Sequence, residues 1–150
     1  MRGPGRSTPA LVLDTTVLID ALRGGEAAAG LAALRGVSAP PFVCAINVEE
    51  LWRGARRGDE ASITRLVRGL RIAPLGQDEA ERAGRWRRDF AAKGITLSQA
   101  DCLIAAAAVG VGARLATANV GDFPMREVVV ENWSAREVSA GRAAASSARR

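Results

Sequence analysis

Histidine and tyrosine are absent from this chain of 150 residues, and lysine occurs once, at Lys93. Without histidine, a Ser-His-Asp triad, a Cys-His nucleophile, a two-histidine ribonuclease mechanism and a histidine-ligated zinc site are all excluded. Lys93 does not lie in a Gly-x-x-x-x-Gly-Lys-Ser/Thr sequence, so P-loop phosphate chemistry is excluded as well. The chemistry that remains uses a metal held by oxygen ligands, which suits Mg²⁺ or Mn²⁺.

Cysteines and long apolar runs are also scarce. The two cysteines, Cys44 and Cys102, lie in apolar stretches, which predicts buried and reduced thiols in a cytoplasmic protein. The longest uncharged apolar stretch, residues 102–113, is too short to span a bilayer, and no secretory hydrophobic region precedes the first predicted strand. We therefore expect a cytoplasmic protein with no membrane role.

The formal net charge of +5 comes from the two ends of the chain. Residues 1–9 contribute +2 and residues 134–150 contribute +3, whereas residues 10–133 hold 15 basic and 15 acidic side chains. Grouping four acids at one site would leave the rest of the central region at about +4, which suits a substrate with many phosphates. A solvated arginine-rich surface explains the same charges equally well.

Short apolar runs alternate with longer helical patterns along the chain. Strands are predicted at 10–13, 41–45, 71–75, 114–117 and 128–130, and helices at 16–22, 26–34, 48–57, 62–70, 78–92 and 98–109. This alternation predicts an α/β domain with a mainly parallel sheet and helices on both faces. We expect one domain over residues 10–133, between a disordered N-terminal extension at 1–9 and a disordered basic tail at 134–150.

Four acidic residues stand beside apolar runs or chain breakers: Asp14, Glu50, Asp101 and Asp122. Asp14 and Asp122 follow predicted strands, and the other two lie in the first turns of predicted helices. Because sites in open parallel sheets form outside the carboxyl ends of the strands, the four can converge on one edge. A buried group of carboxylates must be paired, protonated or bound to a metal, which points to a divalent cation.

Each of these acids also has a purely structural explanation. Asp14 can form an Asx turn or cap a helix, and Asp122 can shape a turn. Glu50 would close a capping box that starts at Asn47, and Asp101 one that starts at Ser98. Helical periodicity does not favour Glu50 as a site residue either, because it points away from the apolar stripe of its helix.

The tryptophans offer little evidence for stacking on nucleic-acid bases. Trp52 and Trp86 align with apolar stripes of their predicted helices, so we expect both in the core. Trp133 follows the last predicted strand and is compatible with either core packing or base stacking.

The four acids lie in four segments, which are, in chain order, Leu13-Asp14-Thr15-Thr16-Val17-Leu18-Ile19-Asp20, Glu50-Leu51-x-x-Gly54, Ser98-x-x-Asp101-x-x-Ile104-Ala105 and Thr117-x-Asn119-x-x-Asp122-Phe123. In this order they resemble the motifs of the PIN domain, and more narrowly those of the VapC toxins of bacterial VapBC toxin–antitoxin modules. The resemblance covers residues 10–133, and the ordered set is specific although each motif alone is weak.

The resemblance implies a PIN-like three-layer α/β/α domain that cleaves RNA. It implies that Asp14, Glu50, Asp101 and Asp122 bind Mg²⁺ or Mn²⁺, and it alone selects Glu50 over its neighbour Glu49. The supporting residues it implies are Thr16, Ser98, Thr117 and Asn119. It further implies an RNA substrate, a VapB-like antitoxin as partner, a homodimer and a toxin–antitoxin hetero-oligomer.

Two other functions stay open at this stage. An aspartyl-phosphate phosphotransferase or phosphatase would use Asp14 as its nucleophile, but Thr16 and the solitary lysine fit that chemistry poorly. A non-catalytic protein would use the acids as helix caps and its basic surface to bind RNA or a partner.

Overall fold

A computed structural model of the chain describes residues 9–36 and 39–134. The expected N-terminal extension, apart from Pro9, and the expected basic tail, apart from Ser134, lie outside the described residues. The strands in the described part are β1 (Leu11–Leu13), β2 (Phe42–Cys44), β3 (Arg71–Ala73), β4 (Arg114–Thr117) and β5 (Val130–Asn132). The helices there are α1 (Thr15–Leu22), α2 (Glu26–Leu34), α3 (Ala45–Arg53), α4 (Glu60–Arg68), α5 (Gln77–Ala92) and α6 (Gln99–Gly110), with a short 3₁₀ helix at Val120–Asp122.

The five strands form one parallel sheet in the order β3-β2-β1-β4-β5. From β1 the chain moves outward through β2 to β3, then crosses to the other side of β1 for β4 and β5. The strand order therefore reverses between β1 and β4. In open α/β sheets, the carboxyl ends of the strands at such a reversal border a crevice where ligands bind.

Alternate strand residues face two separate cores, as the side-chain period of a strand requires. Val12 and Leu115 point to the face covered by α5 and α6, where Trp86 and Ile104 are also buried. On the opposite face, Leu13 packs with residues of α1 to α4. The helices thus form a layer on each side of the sheet, and the predicted three-layer α/β/α architecture is confirmed.

Most predicted elements occur within one or two residues of their expected positions. β4 matches its prediction, and α6 is buried around most of its circumference, from Cys102 to Ala108. Both cysteines are free and buried, and burial raises the pKa of the Cys102 thiol to about 11. The expectation of buried cysteines is therefore confirmed.

The prediction for α3 was wrong at both ends, and the expected orientation of the helix was also wrong. The helix starts at Ala45, directly after β2, and ends at Arg53 before Gly54. Its inward face is centred on Asn47 and Leu51, and the rotation of about 100° per residue carries Trp52 toward solvent, where 43% of it is exposed. The expectation of a core Trp52 was therefore wrong, and Asn47 is the third residue of the helix rather than its cap.

The remaining differences are small. β5 begins two residues later than predicted, at Val130, and α4 begins and ends two residues earlier. Trp86 is 7% exposed, as expected for a core residue, while the ring of Trp133 packs against Gly30. None of the helices in the described part of the chain has the length and apolar character needed to cross a bilayer.

Candidate active site

The carboxyl ends of β1 and β4 meet where the strand order reverses. Asp14 follows β1 directly, and its backbone N–H donates to the carbonyl of Ala116 in β4 at 2.9 Å. Thr117, the last residue of β4, lies beside it. The first predicted acid therefore sits in the crevice that the topology creates.

Asp14 is 5% exposed and accepts three hydrogen bonds. Its Oδ1 accepts from the backbone N–H of Thr15 at 2.8 Å, which caps α1. Its Oδ2 accepts from the hydroxyls of Thr117 at 2.7 Å and Thr16 at 3.1 Å. Asp14 thus caps α1 and also lies at the carboxyl ends of β1 and β4. Its structural and its functional interpretation are therefore both compatible with its position.

The two threonine hydroxyls that hold Asp14 have a defined direction. The backbone N–H of Ala118 donates to Thr16 Oγ1 at 3.1 Å, and that of Asn119 donates to Thr117 Oγ1 at 3.0 Å. Each oxygen already receives a proton, so each hydroxyl can direct its own single proton to Asp14. Thr16 and Thr117 therefore orient this carboxylate.

Glu50 lies in the second turn of α3 and reaches α1 across the site. Its Oε1 accepts from the hydroxyl of Thr15 at 2.9 Å, and its Oε2 is 3.9 Å from a guanidinium nitrogen of Arg53. Neighbouring Glu49 is exposed. The geometry therefore distinguishes Glu50 from Glu49, and the capping box expected between Asn47 and Glu50 does not form.

Asp101 lies in the first turn of α6, where Ser98 caps the helix by accepting from the Asp101 backbone N–H at 3.0 Å. Burial raises the pKa of the Asp101 carboxyl above its ordinary value, a hydrogen bond with Ser98 opposes this, and the charges of Asp14, Asp122 and Glu50 raise it further. Asp101 therefore lies close enough to the other three acids for their negative charges to affect its ionisation.

Asp122 ends the 3₁₀ helix and is exposed. Asn119 precedes this turn, and its backbone N–H donates to Thr117. Within the described residues, no hydrogen bond or ion pair is made by the side chain of either residue. The geometry thus brings Asp14, Glu50 and Asp101 to one edge of the sheet, with Asp122 at its rim.

The donor set of this edge consists of carboxylate, hydroxyl and amide oxygens, which are the ligands that Mg²⁺ and Mn²⁺ prefer. Among the described residues, no three histidine, cysteine, aspartate or glutamate side chains converge closely enough to enclose a metal ion. The arrangement is a group of neighbouring carboxylates that repel one another, and not a closed ligand cage. A cation would relieve that repulsion.

Two site residues, Thr15 and Asn47, are missing from the set predicted from sequence. In the described part of the chain, the buried polar side chains are Asp14, Asn47 and Thr117, and all three belong to this edge. Asn47 donates through Nδ2 to Thr15 Oγ1 at 3.0 Å. Thr15 follows Asp14 directly and was a visible candidate, whereas Asn47 was misread because the start of α3 was placed three residues too late.

Comparisons with known proteins identify a family and relatives of this chain. The sequence profile described as PIN domain matches residues 11–124. Ribonuclease VapC10 of Mycobacterium tuberculosis is 32% identical over 117 residues, which cover 78% of this chain and 88% of that protein.

Two solved structures extend the comparison. A toxin–antitoxin complex from Klebsiella pneumoniae has a chain similar to this one, with a TM-score of 0.63 and 29% identity over 81% of this chain and 97% of that chain. VapBC2 from Rickettsia felis, bound to a DNA fragment from its promoter, has a chain that matches with a TM-score of 0.74 and 20% identity, over 83% of this chain and 99% of that chain. At that identity, the second match shows the fold alone.

Proposed function

The chain belongs to the PIN domain family, and from this premise we propose that it is an endoribonuclease, the toxin component of a VapBC-type toxin–antitoxin module. The similarity to Ribonuclease VapC10 and to a toxin–antitoxin complex supports the activity and the kind of module. The single observation that carries the proposal is the grouping of Asp14, Glu50 and Asp101, with Asp122 at the rim, where the strand order reverses. Such a group suits hydrolysis of the phosphodiester bonds of RNA.

The acids would act with a divalent cation. Asp14 and Asp101 would hold Mg²⁺ or Mn²⁺, while Glu50 and Asp122 would complete the shell or act through water. When bound, such an ion would supply positive charge to polarise the phosphate and to lower the pKa of a bound water. The support for this lies in the oxygen-only donor set and in the raised pKa of Asp101, which is caused first by burial and further by the charges of the neighbouring acids.

The other residues of the edge would orient these groups. Thr16 and Thr117 direct their protons to Asp14, and Ser98 holds the backbone of Asp101 at the start of α6. Arg53 lies beside Glu50 with 71% of its side chain exposed, so its guanidinium can reach a phosphate of the RNA next to the acids. Because phosphate contacts displace counterions, we expect RNA affinity to fall steeply with salt.

The two rival functions have less support. A phosphotransferase of this kind would normally have a carboxylate at position 16 and a lysine at the site, whereas this chain has Thr16, whose hydroxyl donates to Asp14, and a single lysine, Lys93. A purely structural role for the acids as helix caps explains Asp14, but it does not explain why Glu50 projects from the second turn of α3 toward α1.

An antitoxin would be the partner of this chain, and the described residues contain a cavity that suits an apolar segment of it. The cavity has a volume of about 560 Å³ and is bounded by α1, α2, α4 and the segment before β2. Leu22, Leu31 and Leu66 line it, and Arg35 and Arg65 add positive charge. An antitoxin segment with apolar and acidic side chains would match this lining.

We further propose a homodimer of the toxin within a toxin–antitoxin hetero-oligomer.

The proposed function is tested by incubating the purified chain with total bacterial RNA in Mg²⁺, in Mn²⁺ and in excess chelator. The parent should cut RNA with either metal and stop with chelator. Asp101→Asn should slow cleavage by about 100-fold or more, because one charged oxygen ligand is lost.

The matched control is Asp78→Asn, which removes an exposed aspartate from the first turn of α5. It should cleave like the parent, because Asp78 is exposed in the first turn of a helix that supplies none of the four acids. Cleavage that persists in chelator, or full activity of Asp101→Asn, would contradict the proposal.

A further inference from the structure

Thr15 lies between two of the acids and contacts both. Its backbone N–H donates to Asp14 Oδ1 at 2.8 Å, and its hydroxyl donates to Glu50 Oε1 at 2.9 Å. Asp14 and Glu50 belong to different elements, 36 residues apart in the chain. Thr15 therefore links these two carboxylates directly.

Asn47 determines which way the Thr15 hydroxyl points. The Cys44 backbone N–H donates to an Asn47 oxygen at 3.0 Å, and a backbone N–H can only donate, so the atom facing it must be Oδ1. The other half of the amide, Nδ2, then faces Thr15 Oγ1 at 3.0 Å and donates to it. The orientation of the amide is fixed by its partners.

A threonine hydroxyl has one proton, and an amide nitrogen accepts none. Because Nδ2 occupies a lone pair of Thr15 Oγ1, the hydroxyl proton is free for Glu50. The network therefore runs in one direction, from the Cys44 N–H through Asn47 and Thr15 to Glu50.

This network is buried at its origin and half-buried at its end. Asn47 is 0% exposed, so an unmade hydrogen bond of its amide would be costly, whereas Glu50 is half-buried at the site. A rigid buried amide can thus restrict a carboxylate that solvent would otherwise let rotate. Capping of α3 uses only Oδ1 of Asn47, so capping alone leaves the link through Nδ2 unexplained.

We propose that Asn47, acting through the Thr15 hydroxyl, is a positioning residue that holds the Glu50 carboxylate in register with Asp14. Asn47 and Thr15 would affect cleavage only through the position of the Glu50 carboxylate. The proposal rests on the proposed function, because the register matters for cleavage of RNA at this edge.

The decisive variants are Thr15→Val, which removes the hydroxyl at nearly constant shape, and Thr15→Ser, which keeps it. Thr15→Val should lower kcat by about 10- to 100-fold with KM within a few-fold, since a misplaced acid affects the reaction more than RNA binding. Thr15→Ser should recover most of that loss. Thr64→Val, in the half-buried surface of α4, is the matched control and should behave like the parent.

A double-mutant cycle with Glu50→Gln separates positioning from a general structural effect. Single-turnover assays with excess enzyme keep slow variants measurable. If Thr15 acts through Glu50, Thr15→Val should cause no further loss in the Glu50→Gln background. Losses that multiply, or a Thr15→Ser variant as slow as Thr15→Val, would overturn the proposal.

A readout independent of activity is the Asn47 side-chain amide in nitrogen-15 NMR spectra. Its signals should be slow to exchange in the parent and in Thr15→Ser, and they should shift and exchange faster in Thr15→Val. Unchanged signals in Thr15→Val would overturn the network whether or not the protein cuts RNA. A parent that cuts no RNA would instead refute the proposed function, and the role of the network in cleavage with it.

Discussion

Asp14 and Asp101 share one edge of the sheet under different constraints. Asp14 is buried, and three protein donors hold its carboxylate. Asp101 is half-buried, and its environment disfavours the charged form because of burial and of repulsion by its neighbours. The Asp14 carboxylate stabilises the fold and also belongs to the candidate site, whereas the charged Asp101 carboxylate destabilises the folded protein when no metal is bound. Such a cost is typical of functional residues.

The same contrast extends to the other two acids. Glu50 is tied to Thr15 and lies beside Arg53, whereas the Asp122 side chain has no partner within the described residues. The half of the site formed by Asp14 and Glu50 is therefore held by hydrogen bonds between different elements. In the half formed by Asp101 and Asp122, the Asp101 carboxyl is hydrogen-bonded to Ser98, the cap of its own helix, and the Asp122 side chain can change its conformation. Substitutions in the two halves should separate activity from stability.

The largest effect is expected for Asp14→Ala. RNA cleavage should fall by about a thousandfold or more, and the free energy of unfolding should fall by about 2–4 kcal/mol, because the hydroxyls of Thr16 and Thr117 and the Thr15 N–H all lose their acceptor. Denaturant unfolding and cleavage assays measure the two effects. A stability equal to that of the parent would show that the hydrogen bonds around Asp14 are not what distinguishes this half.

A smaller effect is expected for Asp122→Asn. Cleavage should fall by about tenfold, since Asp122 lies at the rim, while the free energy of unfolding should stay within about 0.5 kcal/mol of the parent, as for most exposed positions. The same two assays apply. If Asp122→Asn unfolded as easily as Asp14→Ala, the contrast between the halves would disappear.

The smallest effect concerns the stability of Asp101→Asn in chelator. Because the pKa of Asp101 is raised, its ionised form destabilises the folded state at neutral pH, so the neutral variant should melt at the same temperature as the parent or higher. As pH falls through the raised pKa, the parent carboxyl becomes protonated and loses this penalty. The gap in melting temperature should therefore narrow between pH 7 and pH 4, and a gap that widens toward acid would contradict the assigned cause.

Much of the fold was predictable because its signals are local. Apolar runs such as 114–117 locate the strands, and the uniformly apolar α6 identifies a buried helix. The start of α3 was not predictable, because the local sequence is compatible with a helix that begins at Ala45 or just after Asn47. The start is at Ala45 because the helix follows β2 directly. The misplaced start turned Asn47 from a residue of the helix interior into a cap, and the assumed apolar stripe placed Trp52 in the core, whereas the buried residues of α3 are Asn47 and Leu51.

The sequence named the four acids of the candidate site but not the contacts between them. The positions of Asp14, Asp101 and Asp122 at strand ends and helix starts marked them as candidates, while only the family resemblance selected Glu50 over Glu49. The hydrogen bond from Thr15 to Glu50 joins residues 35 positions apart, and no local pattern encodes it. Thr15 and Asn47 were therefore not assigned to the candidate site.

The sequence by itself determined the class of fold and narrowed the class of chemistry. Alternating strand and helix patterns require a layered α/β domain, and the absence of histidine excludes histidine-based catalysis and favours the proposed oxygen-liganded cation. Only the tertiary structure decided which carboxylates are neighbours and how Asn47 directs the Thr15 proton. These depend on contacts between distant segments, whose geometry exists only after the sheet has set the order of its strands.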